Sequence, residues 1–207
     1  MATDIDKDLH ILLRGHALSV SSKPYIDLPA KGKYVPVLKE SVCYIVAAVV
    51  TNDHQEVLMM QEAKKSCRGK WYLPAGRVEP NETLEEAVKR EVLEETGLEF
   101  EPTSLAVVEI QSAIWYRFTF FGNATGGTLK TLEDQDAESL QAKWCVANSI
   151  TRHNPQLPLR SSDVLSLIHT VLTYHQTEPS NRHPILRPQI VSHKKLLLRL
   201  VLVQSHG

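Results

Sequence analysis

The chain has 207 residues, 43% of them hydrophobic and 23% charged, enough to bury a sizeable core without disulfides or a structural metal. A formal net charge of −1 excludes a general coat for nucleic-acid polymers, whose binding by counterion release needs a basic excess. Three cysteines, Cys43, Cys67 and Cys145, lack zinc-site spacing and are expected as reduced thiols in a cytoplasmic setting. The acidic start, Met1 to Asp6, leads into no apolar signal core. The longest apolar runs, Val42 to Val50 and Leu196 to Val203, fall short of the roughly twenty residues that span a bilayer, so no membrane association is expected.

Residues 1–36 contain the breakers Pro24, Pro29, Gly32 and Pro36 and are expected as an N-terminal extension. Val42 to Thr51 is β-branched and apolar, Asn52-Asp53 turns, and Glu56 to Gln61 resumes, which predicts a hairpin-like pair of strands. Trp71 to Gly76, punctuated by Pro74, predicts a loop. Thr83 to Thr96 has no Gly or Pro and stops at Gly97, which predicts a helix with a glycine C-terminal signal. Leu105 to Ile110, Trp115 to Phe121 and Leu140 to Val146 predict three further strands, with a turn at Gly126-Gly127, and Ser161 to Tyr174 predicts a second helix. Strands on both sides of a helix point to a layered α/β or α+β fold over residues 37–177. Residues 178–207 are expected as a linker and tail, in which Lys194 to Val203 suits either an amphipathic helix or an edge strand.

Charge is unevenly spread: residues 38–177 carry 13 basic and 19 acidic side chains. An acidic middle that handled phosphates would need divalent cations as intermediaries. The first helix sharpens this point. At about 100° per residue, Glu91 and Glu95 fall within the arc of Leu84, Val88 and Val92, while Glu94 falls outside it. Like charges on an interior face are costly unless a cation neutralises them, and hard oxygen donors suit Mg²⁺ or Mn²⁺. Arg90 has two candidate partners, Glu86 one turn before it and Glu82 at the helix start.

The segment Gly76 to Leu98 carries Gly76, Glu82, Arg90-Glu91-Val92, Glu94-Glu95 and Gly97-Leu98 at the spacing of the Nudix box. The stretch from about Val37 to Tyr174 therefore resembles the Nudix hydrolase family. The resemblance implies an α/β/α sandwich around a mixed sheet and Mg²⁺- or Mn²⁺-dependent cleavage of a nucleoside diphosphate linked to another moiety. It implies Glu91 and Glu95 as metal ligands, with Glu94 as a further ligand or base. It also implies that the Ala75 carbonyl, next to Gly76, completes the metal shell, and that Glu82 and Arg90 form a structural ion pair. Glu138, in the loop before the strand ending near Trp144, is the candidate base from a later segment.

Further strings, among them Gln61-Glu62-Ala63-Lys64, Cys67-Arg68-Gly69 and Trp71 to Arg77, are similar to the vertebrate branch that hydrolyses 8-oxo-guanine nucleoside diphosphates. That branch continues beyond the position at which this sequence ends. The likeness implies a small-molecule substrate such as 8-oxo-GDP or 8-oxo-dGDP and a role in sanitising the nucleotide pool. Leu58 is the expected wall of a base pocket, Trp115 or Tyr116 a stacking surface, and Arg77, with Lys64, Lys65 and Arg68, a grip for phosphate. Two alternatives stand beside this reading: the same chemistry on ADP-ribose, a dinucleoside polyphosphate or coenzyme A, and a catalytically idle nucleotide-binding module. The sequence sets no oligomeric state.

Overall fold

The computed structural model describes residues 40, 42–111 and 114–176, with the backbone of 197–199 and 203–204. In chain order the strands β1 (Cys43–Thr51), β2 (Glu56–Glu62), β3 (Trp71–Tyr72) and β4 (Ala75–Arg77) precede helix α1 (Leu84–Thr96). Then come β5 (Leu98–Gln111), β6 (Trp115–Gly127), β7 (Ser139–Val146) and helix α2 (Asp163–Gln176), followed by the short strands β8 (Leu197–Arg199) and β9 (Val203–Gln204).

The run of apolar residues in β1 lacks alternation because the strand is covered on both faces. It runs parallel to β6 from Cys43↔Trp115 to Thr51↔Asn123 and antiparallel to β4 from Ile45↔Arg77 to Ala47↔Ala75. The expected hairpin forms, but only next to its turn. β1 and β2 meet only at Thr51↔Val57, after which β2 pairs along its length with β7. The edges that a longer hairpin would have joined are taken by strands from elsewhere in the chain.

Two other expectations are revised. Trp71 to Gly76 is not all loop: β3 pairs with β2, β4 pairs with β1, and only Leu73-Pro74 lies between them. β5 begins at Leu98, directly after the helix, and Gly126-Gly127 pairs with Glu99 and Leu98 instead of turning freely. Pro102 interrupts the strand pattern in sequence but sits at a register shift, where a missing N–H is tolerated. The remaining predicted strands and both helices form. Residues 1–36 lie outside the described residues. Of residues 178–207, β8 and β9 pair antiparallel with β5.

The result is a mixed sheet between two helices, an α/β/α sandwich. On one face Ala87, Val88 and Val92 of α1 pack against Val46, Ala48, Val50 and Phe120. On the other, Val164, Leu167, Ile168 and Val171 of α2 pack against Val49, Val57, Met59 and Phe121. Each fully buried aliphatic side chain contributes roughly 1.5–3 kcal/mol, so these two layers fix α1 and its loop against the sheet. No helix among the described residues is long and apolar enough to cross a membrane.

Candidate active site

The helix that carries the carboxylates is bounded by local chemistry. Thr83 accepts from the Glu86 N–H while the Glu86 carboxylate accepts from the Thr83 N–H, a reciprocal capping box. At the far end Gly97 adopts φ 75°, and its N–H donates to the Leu93 carbonyl. Glu86 is therefore committed to the cap, and Arg90 takes the other expected partner. Its Nε donates to Glu82 Oε1 at 2.7 Å and its Nη2 to Glu82 Oε2 at 3.0 Å. Nη1 donates to Glu91 and Glu94, and Nη2 also to the Arg77 carbonyl. All five guanidinium N–H groups are used, and together they tie α1 to the loop before it.

The phase read from sequence holds: Glu91 and Glu95 are buried and Glu94 is exposed. One Glu95 oxygen accepts the Ala75 N–H at 2.8 Å. A Cβ on Gly76 would lie 2.0 Å from the Glu91 carboxyl, so only glycine lets β4 run this close to the carboxylate. Burial pushes the Glu91 carboxyl above its ordinary value, with Arg90 partly opposing. Burial pushes Glu95 well above its ordinary value too; the Ala75 N–H opposes this and the nearby Glu91 adds to it.

A cleft of about 730 Å³ opens beside this pair. Its floor is a row across the sheet: Arg77, Ile45 and Arg117 are register neighbours on adjacent strands, and Cys43 and Trp115 lie two residues along on the same face. Glu91, Glu79 and Glu138 give one acidic wall, and Lys64, Arg160 and Tyr72 line the remainder. Lys64 reaches Glu138 at 3.9 Å.

Of the expected site residues, Ala75, Gly76, Arg77, Glu91, Trp115 and Glu138 all line this cleft. Glu95 is buried beneath Ala75, and Glu82 and Arg90 brace the helix. Glu94 does not line the cleft; it is held on the exposed side by Arg90 at 3.0 Å. Leu58 is a correction. It has no exposed surface and packs in the cluster under α1, because its position on β2 points it to the face opposite the cleft. Tyr116 also points to that face, edge-on to Tyr44.

Sequence reasoning missed Tyr72, Arg117 and Arg160. Arg117 is buried, paired with both oxygens of Glu109, within 2.7 Å of Asp163, and donating to the Tyr72 hydroxyl at 2.5 Å. The available signal was two opposite charges, Glu109 and Arg117, placed inside otherwise apolar strands. Burial works against the Arg117 charge, and its acidic partners hold the guanidinium above its ordinary value.

No three His, Cys, Asp or Glu side chains converge into a closed cage among the described residues. Two buried carboxylates that repel each other beside an open cleft nevertheless fit a hard divalent cation that keeps waters and takes phosphate oxygens as further ligands. Glu91 and Glu95 would hold it.

The NUDIX domain family matches residues 43–182. The chain is 45% identical over 191 residues to the 8-oxo-dGDP phosphatase NUDT18 of Homo sapiens, covering 92% of this chain and 56% of that protein. It is 48% identical over 174 residues to the Mus musculus protein of that name, covering 84% and 51%. It thus spans about half the length of these curated relatives. Among solved structures, a NUDIX hydrolase from Nitrosomonas europaea superposes with a TM-score of 0.53 at 28% identity, covering 64% of this chain and 89% of that one. The domain match includes the braced carboxylate helix and the sheet beneath it, and the chain belongs to the Nudix family of hydrolases.

Proposed function

We propose that this chain hydrolyses oxidised purine nucleoside diphosphates, such as 8-oxo-dGDP and 8-oxo-GDP, to the monophosphate and phosphate, with Mg²⁺ or Mn²⁺ as cofactor. The observation that carries the reading is the cleft itself: buried carboxylates on one side face an aromatic and cationic floor, in a chain 45–48% identical to enzymes named 8-oxo-dGDP phosphatase. When bound, the cation supplies charge neutralisation on the phosphate oxygens and acidifies a coordinated water.

The residues do the rest. Glu91 and Glu95 would hold the cation; the Arg90 brace fixes Glu91 and the Ala75 N–H fixes Glu95. Water forms a bond to one phosphorus as the bridging P–O bond breaks, and the electron pair leaves on the bridging oxygen. Glu138, on the cleft wall, is the carboxylate that takes the water's proton. Trp115 and Ile45 offer the base an apolar surface, and Arg77 is a cationic contact for phosphate. The substrate is a small molecule, and its setting is the cytoplasm, a reading supported by three free thiols.

The test is a product-resolved panel containing 8-oxo-dGDP, dGDP, ADP-ribose, a dinucleoside polyphosphate and coenzyme A, each with and without chelator. The expected result is chelator-sensitive release of inorganic phosphate and 8-oxo-dGMP, preferred over dGDP. Preferred cleavage of ADP-ribose or another member would overturn the substrate, and turnover that survives chelation would overturn the metal assignment.

A further inference from the structure

We propose that Arg160 grips the terminal phosphate of the nucleoside diphosphate, with Glu62 as the positioning residue that aims it. This inference rests on the substrate reading above.

Arg160 reaches the cleft from the segment before α2, far in sequence from the Gly76–Leu98 box, and its backbone is fixed there. The Arg160 N–H donates to the Trp71 carbonyl at 2.9 Å, and the Trp71 N–H donates to the Pro158 carbonyl at 2.8 Å. Its side chain is fixed too. Nη1 donates to Glu62 Oε1 at 2.5 Å, and the guanidinium carbon lies 4.9 Å from the centre of the Tyr72 ring. Only one of its five N–H donors is thereby consumed by a described side chain, and the side chain remains 42% exposed in the cleft. A planar fork with donors to spare suits two oxygens of a phosphate.

Position favours phosphate over base. Glu62 and Lys64 both lie close enough to Glu95 to act on its charge, and Lys64 also reaches Glu138. Arg160 therefore stands at the carboxylate end of the cleft, whereas the apolar surface of Trp115, Ile45 and Cys43 lies on the sheet floor. Two other cations of the cleft, Arg117 and Lys64, are differently employed, and Arg77 is a separate contact for phosphate on the floor. Arg117 is consumed by Glu109, Asp163 and Tyr72, and Lys64 faces Glu138.

Glu62 is 1% exposed, and its Oε2 has no hydrogen-bond partner. A buried carboxylate left half-satisfied is costly. Holding Arg160 in one orientation is the role its geometry supports.

The experiment compares the wild type with Arg160→Ala, Arg160→Lys and Glu62→Gln on 8-oxo-dGDP and dGDP, and titrates inorganic phosphate as competitor in saturating Mg²⁺. The expected result for Arg160→Ala is a loss of about 100-fold in kcat/KM, by the same factor for both bases, with at least a tenfold weaker inhibition by phosphate and an unchanged Mg²⁺ half-saturation. Arg160→Lys should recover part of the phosphate inhibition, and Glu62→Gln should show a smaller loss in the same direction. Arg160→Ala leaves Glu62 buried without its cation. If that variant fails to fold, the double variant Arg160→Met/Glu62→Gln, which removes both charges, carries the test.

A loss confined to the oxidised base would overturn the proposal in favour of base reading. Unchanged phosphate inhibition would overturn it outright. Should the wild type leave 8-oxo-dGDP uncleaved, the substrate reading falls, and calorimetric titration of inorganic phosphate into wild type and variant still decides whether Arg160 holds phosphate.

Discussion

Glu91, one helical turn before Glu95 on α1, makes the Glu95 charge more costly, and both sit in surroundings that already disfavour charge. Folded, they hold protons more tightly than unfolded glutamates, which titrate near 4.5. The stability this protonation confers is complete below that value and is lost as pH rises through the raised folded values, because the folded state binds the extra protons. In chelator, the melting temperature of the wild type should therefore fall relative to Glu95→Gln as pH increases above 4.5, and Mg²⁺ should raise only the wild type. A difference between the two proteins that is flat with pH would remove the argument for a shared buried charge. The same variant should lose more activity than the roughly 10–100-fold typical of a residue that merely supports a metal ligand, with its circular dichroism unchanged. Gly76→Ala tests the neighbouring geometry. Its Cβ would meet the Glu91 carboxyl at 2.0 Å, so activity should fall at least tenfold while the far-ultraviolet spectrum stays wild-type, and full activity would show that Glu91 need not lie there. This pair was legible in sequence because a helix angle decides burial locally. Leu58 was not, since which face of β2 borders the cleft depends on where α1 docks.

At the scale of elements, α1 was legible to within a residue because its signals are its own. Thr83, Glu86 and Gly97 are near neighbours in sequence, and none needs a distant partner to act as a cap. The short strands β3 and β4 had no such signal. Two or three residues gain strand geometry only by pairing with β2 and β1, and the pairing is invisible until the sheet forms. β5 was half legible for the same reason: Glu99, Glu101 and Pro102 are poor strand formers held in place by β6. The helix end offers the sharpest test at this scale. Gly97 has φ 75°, and a Cβ there would lie 2.1 Å from the Thr128 carbonyl oxygen, a backbone atom that cannot move aside cheaply. Gly97→Ala should destabilise the protein by more than about 1 kcal/mol in urea unfolding, opposite in sign to this exchange at a compatible site. A midpoint equal to wild type would mean that the end of α1 is free to unwind.

Across the whole molecule, the cleft depends on contacts between residues far apart in the chain, such as Arg160 with Glu62 and Tyr72 with Asp163. No local pattern announces them, which is why Glu91, Glu138, Lys64 and Arg77 were named from sequence while Tyr72, Arg117 and Arg160 were missed. Arg117 is the centre of these contacts. From β6 it holds Glu109 on β5, Tyr72 on β3 and Asp163 at the start of α2, so one side chain joins both ends of the sheet to the second helix. Burial works against the Asp163 charge, and Arg117 together with hydrogen bonds from Ser161 and Tyr72 more than offsets it, holding the carboxyl below its ordinary value. Replacing Arg117 alone leaves Glu109 and Asp163 with buried charge and no cation, and such a break costs about 3–5 kcal/mol. Replacing both ions of a buried pair by apolar groups of similar size costs far less, since no charge is stranded. Arg117→Met should therefore lower the unfolding free energy by roughly that amount, and Arg117→Met/Glu109→Leu should recover a substantial part of it. Urea unfolding of the wild type, both single variants and the double variant measures the coupling directly. A single variant within about 1 kcal/mol of wild type, or a double variant that is merely the sum of the two singles, would show that the floor of the cleft is held by packing alone.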